Sequence, residues 1–247
     1  MRAYANINQS CYADSVLVAM FAPTDAFHFM VGRPTTTVSD ALMDEIRVLT
    51  TLDDSPATCA GLRNAMGGAW ATPHAQSAVD FMHALLDACA VTNIGTQEEH
   101  TRRVYTSGRT ETSVQSGVGF RIHTVVAGLH TTLLGAFVDV TEPGSGSVAR
   151  VTTTITPTVA PVLVFEVARA GSAARVDYAQ LLEVDTRTYS LVGVVCLRDA
   201  HYSACVHVDG AWWWYDDTHR GGEFVGVRDP EAVHASKFGE LFIYICA

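Results

Sequence analysis

With 247 residues, 48% of them hydrophobic and 17% charged, the chain can bury the core of one large domain or two small ones, and wholesale disorder is excluded. A formal charge of −10 without a basic stripe argues against nucleic acid as a partner. No apolar run reaches the roughly 18–20 residues of a membrane span, and no leader pattern opens the sequence, so an intracellular monomer, cytoplasmic or nuclear and free of the membrane, is expected.

The first hundred residues read as helical. In "CYADSVLVAMF", Tyr12, Ser15, Val16, Ala19 and Met20 fall on one face, with Pro23 beyond as a stop. "SDALMDEIRVLTTL" offers Ser39 or Asp40 as an N-cap and places Leu42, Ile46, Val48 and Leu49 at helical spacing. "AQSAVDFMHALLDACAV" puts Ala78, Phe81, Met82, Leu85 and Leu86 on one side of an amphipathic helix.

From about residue 100 the texture becomes Thr, Val and Gly with strand-like alternation. "EPGSGS" (142–147) is a turn by composition. "PVLVFEVARA", "YSLVGVVCL", "HYSACVHVDGAWWWYDD" and "ELFIYICA" read as strands, and Asp209-Gly210 is the strongest hairpin signal. The expectation is one α+β domain, with a helical lobe over 1–98 and an antiparallel-sheet lobe over 99–247.

Six cysteines, at 11, 59, 89, 196, 205 and 246, form no C-x-x-C pair, which leaves a zinc ribbon or redox motif unsupported and favours reduced thiols. A nucleophilic thiol needs a lowered pKa, a base to take and return its proton, and donors for an oxyanion. Cys11 lies where a polar run gives way to an apolar helix, so it sits at the positive end of the helix dipole. His201 begins one strand of the Asp209-Gly210 hairpin, and Asp216 and Asp217 end the other. Residues equidistant from a hairpin turn meet. The imidazole and a carboxylate should therefore share one end of the ribbon, the arrangement that orients a general base.

These segments together resemble the ubiquitin-specific proteases, the papain-like deubiquitinase family. Its first box, G-L-x-N-L-G-N-T-C-Y-x-N-S with a following L-x-x-L-F, is matched at Asn6, Cys11, Tyr12, Ser15, Leu17 and Phe21. "AQSAVDFMHALLD" (75–87) resembles the second, Q-Q-D-A-x-E-F-L-x-x-L-L-D. "PVLVFEVAR", "YSLVGVVCLRDAHYSACV", "WWWYDD" and "ELFIYI" resemble the later boxes, in the family's order.

The resemblance implies a papain-like cysteine protease fold with helical thumb, antiparallel-sheet palm and fingers. It implies Cys11 as nucleophile, His201 as base and then acid, and Asp216 as the orienting carboxylate with Asp217 as runner-up. Asn6 and the Cys11 backbone N–H would stabilise the oxyanion, and Gln76, Ser77, Asp80 and Phe81 would bind substrate. The partner would be ubiquitin or a ubiquitinated protein, with no cofactor or metal in the chemistry.

Three departures qualify this. The segment from about 100 to 160 has no cysteine, so the fingers should be reduced and lack zinc. Ser77 replaces an acid that faces an arginine of the ubiquitin tail, which admits another ubiquitin-like modifier as the substrate; a non-catalytic ubiquitin-binding module on the same fold is a separate alternative. "CLRDA" before His201 is short, with Ala200 where Gly is usual, which implies an open cleft.

Overall fold

The computed structural model describes residues 4–6, 9–23, 27, 37–51, 57–91, 94–120, 122–137, 140–159, 161–169 and 174–246. Helices α1 (Cys11–Phe21), α2 (Thr37–Thr51), α3 (Ala60–Met66) and α4 (Ala78–Ala88) precede the first strand. Strands β1 (Gly95–Tyr105), β2 (Thr110–Phe120), β3 (His123–Val126), β4 (Val140–Pro143) and β5 (Val148–Val159) follow. After them come β6 (Val162–Ala168), β7 (Leu181–Val184), β8 (Arg187–Arg198), β9 (His201–Val208), β10 (Ala211–Tyr215) and β11 (Val225–Val227). The short helix α5 (Ala235–Phe238) leads into β12 (Gly239–Cys246).

The strands form two sheets. One has four strands in the order β2-β1-β5-β4, all antiparallel. The other has eight, in the order β11-β10-β9-β8-β12-β6-β3, with β7 paired to β8. It is antiparallel except where β3 runs parallel to β6. The four-stranded sheet occupies the cysteine-free segment. Its three longer strands run 11, 11 and 12 residues.

Helix α1 is where sequence and structure differ most usefully. The spacing predicts one apolar face, yet every residue from Cys11 to Phe21 is buried. The helix lies between β8 and β9 on one side and α2 and α4 on the other, so it has no solvent face. Asp14 and Ser15 are carried inside with it. Close approach to the sheet requires a glycine: a Cβ on Gly193 of β8 would sit 2.7 Å from the Ala19 carbonyl oxygen. Helix α4 buries the predicted face, Ala78, Phe81, Met82, Leu85 and Leu86, at about 1.5–3 kcal/mol for each large side chain.

Two tight turns set the register of the sheet near the helix. Asp209 (φ 51°) and Gly210 (φ 79°) close the β9–β10 hairpin, and Ala211 pairs with Val208. Asp199 (φ 52°) and Ala200 (φ 61°) close β8–β9, with Arg198 opposite His201. The segment before His201 is thus a two-residue turn. All six cysteines are free thiols. No helix among the described residues is long and apolar enough to cross a membrane.

Candidate active site

Cys11 is the first residue of α1, and Ser10 is its N-cap. The Ser10 carbonyl accepts from the N–H groups of Ala13 and Asp14 at 2.8 and 3.0 Å. Its hydroxyl does not cap the helix but donates to Asp14 Oδ2 at 2.6 Å. The Cys11 N–H, in the first turn, has no intrahelical acceptor and is available to a ligand at the positive helix end.

His201 opens β9. Its Nε2 lies 2.9 Å from Asp216 Oδ1 and 3.6 Å from Asp217 Oδ1, so Asp216 is the hydrogen-bond partner and Asp217 stands behind it. The Cys11 side chain stands close enough to the imidazole to raise its pKa. His201 and Asp216 meet at one end of the hairpin, but not as a directly opposed cross-strand pair. The ladder pairs Tyr215 with Ala204, so the position opposite His201 lies beyond Asp216. Asp216 reaches back from just past the end of β10, where the Thr218 N–H and hydroxyl donate to its Oδ1 at 2.9 and 2.6 Å.

The electrostatics follow from these contacts. The hydrogen bond to Asp216, then the Cys11 side chain, raises His201 to about 10 against the opposing effect of burial. Burial raises Asp216, but the hydrogen bonds from His201 and Thr218 outweigh it and bring the carboxyl down to about 2. Across neutral pH the pair is imidazolium and carboxylate.

Asn6 is held at this centre by the end of β10. Its backbone N–H donates to the Asp217 carbonyl at 3.2 Å, and the Tyr215 hydroxyl donates to the Tyr4 carbonyl at 3.1 Å. The Asn6 side chain also faces the Asp217 carboxyl and favours its ionised form. The expected oxyanion donor, base and nucleophile therefore converge.

The expected substrate-binding residues divide. Asp80 is exposed, and Gln76 is half-buried. Ser77 is the N-cap of α4: its hydroxyl accepts from the Asp80 N–H at 3.2 Å. Phe81 requires a correction. It is fully buried and packs edge-on against Tyr12 and Trp70, each 5.5 Å between centroids, so it builds the core and offers no face to a ligand. Asn8 lies outside the described residues. Gln9 Oε1 accepts from the Ala75 N–H at 2.8 Å and ties the segment before Cys11 to that before α4.

Two features escaped the sequence reading. Asp14 is a buried acid one turn after Cys11, and its signal was a charge inside an apolar helix. The other is a cavity of about 510 Å³ against His201 and Asp216, walled by Arg198, Ser203, Trp214 and Val233. His201, Asp216 and Asp217 also bring one donor atom each within 4.8 Å of one another, the one such group among the described residues. His201 Nε2, the nitrogen that faces both carboxylates, is already bound to Asp216.

The chain aligns over 100% of its length with 70% of a chain in the "Structure of the SAGA Ubp8/Sgf11/Sus1/Sgf73 DUB module bound to ubiquitin aldehyde", with a TM-score of 0.72 and 15% sequence identity. No family profile and no curated sequence matches the chain.

Proposed function

We propose that the protein is a thiol-dependent deubiquitinase that hydrolyses the peptide or isopeptide bond after the C-terminal glycine of ubiquitin. The observation that carries this reading is His201, hydrogen-bonded to Asp216 at 2.9 Å and close to the Cys11 side chain. The likeness of fold to a module solved with ubiquitin aldehyde supports ubiquitin as the substrate.

In this mechanism His201 holds the proton, and the Cys11 sulfur attacks the carbonyl carbon of the terminal glycine. The Cys11 N–H at the helix start and the Asn6 amide receive the negative charge on the carbonyl oxygen. His201 then gives its proton to the departing amine, and the C–N bond breaks to leave a thioester on Cys11. A water molecule loses a proton to His201 and adds to the thioester. Collapse releases the ubiquitin carboxylate, and the proton returns to the Cys11–His201 pair. Asp216 keeps the imidazole aimed throughout and stabilises its charged form. Asp80, exposed on α4, faces the basic tail of the substrate.

A second reading, a protease for another ubiquitin-like modifier, is favoured by Ser77, which supplies a helix cap and no charge. Ubiquitin carrying a C-terminal electrophile tests both. Wild type is expected to form a covalent adduct, and Cys11→Ala none. Preferential labelling by another modifier selects the second reading, and a wild-type chain that no such probe labels refutes both.

A further inference from the structure

Behind His201 lie two carboxyl groups that the proposed chemistry does not use. Asp14, on α1, is completely buried, and Asp217, just past β10, is 2% exposed. Their side chains are within hydrogen-bonding reach of each other. Yet with both groups ionised, Asp14 Oδ1 and both Asp217 oxygens have no donor. Two adjacent buried carboxylates beside a third, Asp216, repel one another and lack solvation. A single proton held between them removes one charge and gives these oxygens their missing hydrogen bond.

The surroundings say which group carries the proton. Asp14 is the more deeply buried, with the Ser10 hydroxyl and the Cys59 thiol around it. Asp217 faces His201 and the Asn6 amide, both of which favour its ionised form, although Asp216 opposes it. Tyr4 and Tyr215 border the pair, and neither is a base. Asp14 is therefore the acid and donor, and Asp217 the carboxylate and acceptor.

We propose that Asp14 and Asp217 share one proton and form a positioning pair, which locks the start of the nucleophile helix to the oxyanion residue Asn6 and to the rear of His201. The chain of contacts is continuous. Ser10, next to Cys11, donates to Asp14, and Asp14 donates to Asp217. Asp217 receives the Asn6 N–H on its carbonyl and holds Oδ1 at 3.6 Å from His201 Nε2. Neither acid touches substrate. This rests on the thiol-protease reading for its catalytic consequence, but not for the proton itself.

The test has an arm for each. Isotope-edited infrared spectra of the full chain at neutral pH should show the carbonyl stretch of a protonated aspartic acid, and this band should vanish in Asp14→Asn. A wild-type spectrum without the band overturns the proposal. In the catalytic arm, Asp14→Ala should lower kcat by about tenfold to a hundredfold with KM unchanged, the loss of one buried charge-assisted hydrogen bond. Asp14→Asn replaces the acid O–H by an amide N–H and should restore kcat to within about threefold of wild type. The losses from Asp14→Ala and Asn6→Ala should be less than additive, because the first acts through the second.

An Asp14→Asn variant as impaired as Asp14→Ala, or strictly additive losses, would overturn the positioning role. Where Asp14→Ala fails to fold, the infrared band and the Asp14→Asn kinetics still decide. A band in a chain that no ubiquitin probe labels keeps the shared proton while sinking the deubiquitinase reading. Labelling without a band does the reverse.

Discussion

Replacing Asp216 by alanine should both slow the enzyme and move the alkaline limb of its pH profile. In the folded chain His201 is raised to about 10, first by the Asp216 hydrogen bond and then by Cys11, while burial pulls the other way. Asp216→Ala deletes the first cause and leaves the opposing one, so His201 descends toward its ordinary value of 6.5. A raised histidine is protonated below its folded pKa and loses the proton as pH rises through it. The imidazolium that protonates the leaving amine is therefore retained to about pH 10 in wild type and lost at lower pH in the variant.

The limb of kcat/KM should fall by at least about one pH unit. The charge-assisted bond at 2.9 Å is worth roughly 1.5–3 kcal/mol, which predicts a further loss of about tenfold to a hundredfold in kcat on the plateau. KM should hold, because Asp216 does not meet substrate. The assay is release of a fluorogenic amine from the ubiquitin C-terminus between pH 6 and about 10.5, the range set by the ordinary and raised His201 values. A limb that stays near pH 10 with kcat unchanged would refute the assignment of Asp216.

Further expectations follow from local geometry. Ser77→Ala should lower unfolding stability by about 1 kcal/mol through loss of the α4 cap, whereas Ser77→Asp keeps a capping oxygen and adds a charge beside Asp80, so chemical denaturation should show little change while ubiquitin labelling accelerates. Gly193→Ala should lower Tm, at a cost of about 1–3 kcal/mol, because its Cβ would meet backbone of α1 at 2.7 Å; an unchanged Tm would mean that α1 can lift off β8. Ala200→Gly should raise stability by about 1 kcal/mol, since Ala200 occupies left-handed space at φ 61°, and thermal unfolding measures it.

The parts of the site that local rules govern were legible. A polar run before an apolar helix placed Cys11 at a helix start, and Asp209-Gly210 brought His201 and Asp216 to one end of a ribbon. The spacing of Ala78, Phe81, Met82, Leu85 and Leu86 gave the buried face of α4. Phe81 went wrong for a different reason. Resemblance set it on a binding surface, while it already belonged to that apolar face, and the local pattern Ser-x-x-Asp already spelled the helix cap at Ser77. The all-round burial of α1 and the parallel β3–β6 pairing depend on what packs against each element, which no periodicity within the element records. Asp14 meets Asp217 across nearly the whole sequence, through the docking of α1 on the sheet, and only the placement of a charge in an apolar helix hinted at it.

The proton assigned to Asp14 also bears on the oxyanion. In the proposed reaction, negative charge grows on a carbonyl oxygen beside Asn6, and Asn6 itself rests against Asp217. Were both acids ionised, that oxygen would develop its charge near two buried carboxylates in addition to Asp216, in a site too dry to screen them. With one proton shared, a single charge remains on Asp217, and it faces the His201 cation at 3.6 Å. The same proton that satisfies the buried oxygens thus lowers the repulsion that the transition state must overcome. Loss of that proton at high pH should accordingly depress kcat before it disturbs the fold.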